Sequence, residues 1–257
     1  MRNGGWWTAL WIAGCAGPQT GAPPGESLTA DALIASLVRP QVKTLQGTAR
    51  LEAYADGQRR SATVLVVASR PSSLQFQALT PTLDLVALSN CDGDRFLTFE
   101  RGGDACYVGK ACPRNLARVL PLPLPVDGLV AALLGDLPVL QAPAEHRTLA
   151  WDGEKSLYRL DLGAATALHQ QVYVEPKTRR AVGAVWYFGA ERLASLQYDG
   201  DAVASLPRTL RVKTTRPQAD MTLELREVTA DQPVDPTVFA VACPDGMRTV
   251  DLPCDSE

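Results

Sequence analysis

Polar and apolar residues alternate along most of the chain beyond residue 44. Leu74-Gln75-Phe76-Gln77-Ala78 alternates strictly, and Leu157–Leu162 and 221–228 alternate at most positions. A period of two puts one face of a strand in a core and the other in water. Six Asp-Gly dipeptides, at 56-57, 92-93, 127-128, 152-153, 199-200 and 245-246, punctuate the sequence, and four of them stand beside such runs. Both residues of an Asp-Gly pair accept the positive φ that a tight hairpin needs. The pattern predicts strands over 45–55, 60–69, 74–78, 83–90, 95–100, 105–108, 148–151, 156–162, 167–174, 180–188, 192–198, 209–215 and 221–228. Their close succession with short turns argues for an antiparallel meander rather than βαβ units.

Two segments carry the 3.6-residue period instead. Over 28–38, Leu33, Ile34, Leu37 and Val38 form a stripe, Thr29 suits the N-cap, Asp31 falls in the first turn, and Arg39-Pro40 stops the helix. Over 126–134, Leu129, Val130, Leu133 and Leu134 form the apolar side and Gly135 ends it. Leu-Pro-Leu-Pro-Leu-Pro at 120–125 leads in as a stiff apolar strap. A short helix is expected over 113–119, and a turn over 235–239 with Pro236 at its first position. The expected fold is mainly β with a few helices: a strongly curved antiparallel sheet of about 10–12 strands, an unclosed half-barrel under a helical lid. Its interior is either packed solid or left with a lipid-sized hollow.

The N-terminus follows a different logic. One charge at Arg2 precedes an apolar run that ends in Ile12-Ala13-Gly14-Cys15. A cationic tip and an apolar stretch of about ten residues have the proportions of a signal peptide; spanning a bilayer takes about 20. The tetrapeptide looks like a bacterial lipobox, with Cys15 as the lipidated residue. The alternative is a buried N-terminal helix that contains a cysteine. Gly and Pro dominate the stretch after Cys15 up to Glu26, as in a flexible tether. The expected organisation is therefore a signal peptide over 1–14, a lipidated tether over 15–27 and one domain over 28–257.

Composition removes several functions. The 257 residues carry a net charge of −3, which offers no basic excess for nucleic acid. Two histidines, His146 and His169, lie far from each other and from any cysteine at metal spacing, and no hydrolase or nucleotide motif occurs. Asp92-Gly93-Asp94 and Asp199-Gly200-Asp201 lack the further ligands of a calcium loop and read as hairpin turns. No catalytic residue, metal or cofactor is expected. Beyond Cys15 stand Cys91, Cys106, Cys112, Cys243 and Cys254. In an oxidising compartment the sequence-local pairs Cys106–Cys112 and Cys243–Cys254 are the expected bridges, leaving Cys91 free or paired elsewhere.

The order of parts resembles the LolA/LolB-like lipoprotein carriers and related outer-membrane lipoproteins. The residues that carry the resemblance are the lipobox at 12–15, the helix at 28–38 and the strand Leu45-Gln46-Gly47-Thr48-Ala49-Arg50-Leu51. To these are added Arg70-Pro71, Thr80-Pro81, Ala131-Ala132-Leu133-Leu134-Gly135 and Asp235-Pro236-Thr237-Val238-Phe239. The resemblance implies a half-barrel and lid that enclose acyl chains. It also implies an exposed apolar residue, Leu79 or Leu83, on the loop after the third strand for membrane insertion; the glycine usual in that loop is replaced by Thr82. Ala16 in place of Asp implies the outer membrane, with the domain facing the periplasm. The candidate lipid-binding residues are Leu33, Leu37, Leu74, Phe76, Leu129, Leu133, Tyr158, Trp186 and Phe188. Expected partners are the membrane through its anchor, acyl chains or lipoproteins, and a soluble periplasmic carrier; the protein is expected to be a monomer. The competing function is a structural envelope lipoprotein with a fully packed sheet and no ligand.

Overall fold

The computed structural model describes residues 28–55, 57–216 and 218–254. The expected signal peptide at 1–14, Cys15 and the expected tether at 15–27 lie outside them. The first meander comprises β1 (Thr44–Ala55), β2 (Gln58–Ser69), β3 (Ser73–Leu79), β4 (Leu85–Cys91), β5 (Arg95–Glu100) and β6 (Ala105–Lys110). The second comprises β7 (Arg147–Asp152), β8 (Leu157–Leu162), β9 (Leu168–Val174), β10 (Ala181–Phe188), β11 (Glu191–Asp199), β12 (Thr209–Thr214) and β13 (Ala219–Ala230). The two join where β13 pairs antiparallel with β1, Leu45 opposite Ala230 and Ala55 opposite Ala219. At that seam Gly47 is indispensable: a Cβ there would lie 2.1 Å from the Glu227 carbonyl oxygen.

The result is one unclosed, curved sheet in the order β14-β6-β5-β4-β3-β2-β1-β13-β12-β11-β10-β9-β8-β7. It has fourteen strands rather than 10–12. The unpredicted β14 (Arg248–Leu252) pairs parallel with β6, so the sheet is not wholly antiparallel. No hairpin signal announces β14, because it reaches its partner from far away in the chain. The helices α1 (Ala30–Ser36), α2 (Pro113–Leu116) and α3 (Val126–Leu133), and the 3-10 turn Pro236–Phe239, fall inside the predicted spans.

The sheet has a core on each face. The larger takes the inward residues of nearly every strand, among them Leu45, Val66, Phe96, Leu160, Val172 and Leu196, together with Leu33 of α1 and Leu129 of α3. The smaller lies on the opposite face of β5 and β6, where Leu97, Phe99 and Cys106 meet Val241. It is covered by the arm that follows β13. This arm crosses β3, β4 and β5 pinned by side chains. Gln75 donates to the Val238 carbonyl at 2.6 Å, Asn90 to the Val238 and Ala240 carbonyls at 3.1 and 2.9 Å, and Arg95 to the Val241 carbonyl at 3.0 Å.

The arm explains the cysteines. The bridges are Cys106–Cys243 and Cys112–Cys254, with Cα atoms 5.9 and 6.3 Å apart. The four cysteines are those expected, but the local pairing is overturned. Cys106 faces the second core, and the arm delivers Cys243 to it across the sheet. Cys91 is free and buried, and loss of hydration pushes its thiol up to about 11. Each bridge spans well over a hundred residues, a separation at which a crosslink restricts the unfolded chain by about 5 kcal/mol in the chain-entropy account. Non-reducing peptide mapping should therefore recover 106–243 and 112–254 linked peptides and no 106–112 peptide. The paired Cys112→Ser, Cys254→Ser variant should lose about 2–4 kcal/mol in a denaturant melt.

Candidate functional site

The candidate site is the large apolar face and what lies across it. Topology sets its form. β6 lies toward one end of the sheet and β7 is the opposite edge, so the chain over 111–146 has to cross between them. It carries α2, the Leu-Pro strap and α3. An eight-residue helix is not stable alone in water, and α3 forms because Val126, Leu129, Val130 and Leu133 are buried against β2 and β3. Gly135, at φ +75°, ends it, and the Asp136 N–H returns to the Ala131 carbonyl at 2.9 Å. α1 packs beside β7, and its N-cap is as read: Thr29 Oγ1 accepts from the Ala32 N–H at 3.2 Å.

Polar anchors fix the crossing at its ends. Near the start, the buried Asn115 amide donates to the Lys110 carbonyl at 2.9 Å. Near the finish, the fully buried Gln170 of β9 donates to the Pro138 carbonyl at 2.8 Å and accepts from the Leu140 N–H at 2.7 Å. The Tyr198 hydroxyl donates to the Ala132 carbonyl at 2.7 Å, and loss of hydration drives its pKa far above the ordinary range. Asp136 collects Arg39, after α1, at 3.2 Å and Arg70, after β2, at 3.1 Å; Arg70 also donates to the Val42 carbonyl at 2.9 Å. One carboxylate thus joins the ends of both helices to the sheet. None of these anchors stands out in the sequence, because each is an ordinary polar residue whose partner is backbone or a distant arginine.

Of the predicted lining, Leu33, Leu74, Leu129, Leu133, Tyr158 and Trp186 are buried and share one core, and Leu37 and Phe76 pack against it half-buried. Phe188 does not join them. It ends β10 and is 61% exposed, because the hairpin turn begins there. Little space is left beside Leu133: the cavity it shares with Tyr198, Leu210 and Leu223 is about 10 Å³, too small to hold more than about one water. A roomier apolar cleft of about 290 Å³ opens at the rim, between the α2–strap segment (Ala117, Pro121, Leu122) and Leu193 and Ala194 of β11. Larger depressions, about 530 Å³ over Tyr173, Val185 and Tyr187 and about 380 Å³ over Thr48, Ser61 and Thr63, lie on the opposite face and hold none of the predicted lining.

The two insertion candidates part company. Leu79 is buried, whereas Leu83 is 68% exposed at positive φ (65°). The β3–β4 turn holds it there: the Leu83 N–H donates to the Thr80 carbonyl at 2.9 Å and the Thr80 N–H to the Asp84 carbonyl at 2.8 Å. Asp92 serves a turn, accepting from the Asp94 and Arg95 N–H groups at 3.1 and 2.8 Å. Among the described residues no group of three or more His, Cys, Asp or Glu is placed to hold a metal.

Comparison with solved structures decides the fold. A LolA superfamily protein from Nitrosomonas europaea superposes with a TM-score of 0.54 at 12% identity, over 84% of this chain and 99% of that one. A DUF1329 family protein from Desulfovibrio piger gives 0.55 at 9% identity, over 82% and 94%. The fold is LolA/LolB-like. A domain designated outer membrane lipoprotein-sorting protein, from Vibrio parahaemolyticus, gives 0.50 at 9% identity over the same shares, 82% and 94%. No family model and no curated protein matches the chain. At these identities the likeness concerns the LolA/LolB-like fold alone.

The anchors set the energetics of the crossing. Asp136→Ala should lower stability by about 1–3 kcal/mol, since it strands two arginines. Gln170→Leu should cost about 2–3 kcal/mol, since it leaves a buried N–H and carbonyl unpaired. Asp31→Ala, which removes an exposed pair with Arg147 at 2.7 Å, should cost under about 1 kcal/mol. Urea melts of the three variants check this ranking.

Proposed function

We propose that this is an outer-membrane lipoprotein, anchored through Cys15 on the 15–27 tether, whose half-barrel takes up acyl chains of lipids or lipoproteins beneath α1 and α3. The observation that carries the reading is the apolar rim cleft, which runs under the strap and adjoins the large core at Leu122 and Ala194. The names of two structural neighbours, a LolA superfamily protein and an outer membrane lipoprotein-sorting domain, agree with it. So does Leu83, an apolar tip held in water by its turn and suited to dip into a bilayer.

In the closed state α3 occupies the place of the ligand. Burial of Val126, Leu129, Val130, Leu133 and Leu134 is worth about 1.5–3 kcal/mol per side chain, and a sixteen-carbon chain about 0.8 kcal/mol per methylene. Both totals are about 10 kcal/mol, so exchanging helix for acyl chain is close to balanced. A balanced exchange suits a carrier that must load and release. Leu33, Leu37, Leu74, Phe76, Tyr158 and Trp186 are then the surfaces for which Leu129 and Leu133 of α3 compete with the chain. The filled interior equally suits a scaffold without ligand, and one experiment separates the two. The full chain carrying Cys15→Ser should bind a fluorescent fatty acid saturably and show one bound chain by native mass spectrometry. Leu193→Glu, which puts a charge in the cleft, should weaken binding about tenfold or more, with the fold of the variant checked by circular dichroism because Leu193 also packs against the large core. No saturable binding by the unmutated cleft would leave the scaffold.

A further inference from the structure

Alternate turns of an antiparallel meander share an end of the sheet. The turns after β1, β3, β8, β10 and β12 lie together at one end. Ala55 is opposite Gln58 and Ala219, Leu79 opposite Thr63, Ala194 opposite Thr214 and Trp186, and Phe188 opposite Glu191 and Leu168. This end carries apolar side chains that the fold leaves in water. Leu83 is exposed on the β3–β4 turn, and Phe188 and Leu168 are exposed side by side where β10 and β9 meet their turns. Two residues further in, Trp186 and Gln170 stand opposite each other under the crossing, Trp186 in the large core and Gln170 bonded to the Pro138 carbonyl. Phe188 and Leu168 therefore continue the inner face past the edge of its cover.

The chain enters the domain at this same end. The Arg147 guanidinium donates to Asp31 of α1 at 2.7 Å, and Arg147 is opposite Leu162, just before the turn that leads to Leu168. Leu28, the first described residue, is three residues before Asp31. The rim cleft reaches this end too, since Glu191 and Arg216 beside the turns after β10 and β12 line it. We propose that this end of the half-barrel is its membrane-facing edge, with Phe188 and Leu168 as a second apolar contact with the bilayer besides Leu83. The inference rests on the anchored, acyl-binding reading and adds how the domain sits on its membrane. β3 and β10 are six steps apart in the sheet, about 29 Å along it at about 4.8 Å per step. Two contacts that far apart fix the orientation of the domain, where a single tip leaves it free to turn. A flexible tether over 15–27 has a mean reach of about 20 Å, which holds the edge near the surface and makes even weak insertion favourable. The cleft then opens against the bilayer, and an acyl chain enters it without crossing water.

The test uses the full chain purified from bacterial membranes and reconstituted into vesicles of phosphatidylethanolamine and phosphatidylglycerol that contain brominated lipid. Leu83→Trp, Phe188→Trp and Val38→Trp are compared by the quenching that each adds to that of the unmutated protein. Val38 is the control: it is exposed, and its N–H bonds to the Arg179 carbonyl at 2.9 Å in the β9–β10 turn, at the opposite end. Interfacial side chains sit about 5–10 Å into the headgroup–acyl boundary, so bromines near the top of the acyl chain should quench at 83 and at 188 at least about threefold more than at 38. Leu168→Trp takes the place of Phe188→Trp should that variant misfold. Quenching at 83 alone would overturn the second contact and leave a single insertion tip. Quenching at none of the positions, or equally at all of them, in a chain that carries lipid on Cys15 would overturn the membrane-facing edge while leaving the anchor intact. An intact mass without lipid on Cys15, with no flotation on the vesicles, would overturn the anchored reading and this inference with it.

Discussion

A curved sheet with one continuous apolar face and no closure has to hide that face. Everything else in this molecule follows from how the chain does so. The seam between β1 and β13 leaves the two meanders side by side, with β6 and β7 far apart. The chain between them has no other route than across the sheet. Its apolar strap and α3 therefore serve as connection and cover at once, and α3 is helical only because the sheet gives its side chains somewhere to go.

The two faces are covered by different means. On the outer side, the arm after β13 is held by amide side chains, adds β14 to the sheet, and is closed by two disulfides. On the inner side, the crossing is held by Asn115, Gln170, Tyr198 and the Asp136 cluster, with no covalent link between the strap or α3 and the strands beneath them. Covalent closure removes a segment from the set that opens cheaply, whereas burial and hydrogen bonds can be exchanged for those of a ligand. The start of the crossing is itself tied to the arm through Cys112–Cys254, so on the proposed reading the strap and α3 are the part that exchanges with a ligand. The rim cleft lies where the crossing meets β11.

Much of this was legible in the sequence, and the failures share a cause. Alternation, partial in most strands, together with Asp-Gly turns marked nearly every strand, and Thr29, Gly135 and Pro236 marked helix ends because capping is local. Gly47 was visible as a glycine in a strand, though only the approach of β13 shows why it is there. The disulfide pairing, β14 and the anchors Gln170 and Asp136 were not legible, since each depends on residues far apart in sequence. Phe188 was misjudged for a related reason: alternation says which residues share a face but not where the hairpin carries a strand out into solvent. Of the site, the apolar lining could be read from the pattern, while the rim cleft could not, because separate elements assemble it.

The central claim is that the crossing opens while the sheet stays folded. Native-state hydrogen exchange followed by mass spectrometry tests this directly, by comparing amides of 126–140 with those of β1 and β13 across low concentrations of denaturant. The account predicts that the 126–140 amides open at a lower free energy than the seam, with little dependence on denaturant. Exchange of both sets only through global unfolding, at one common free energy, would contradict it and make α3 a fixed part of a solid core.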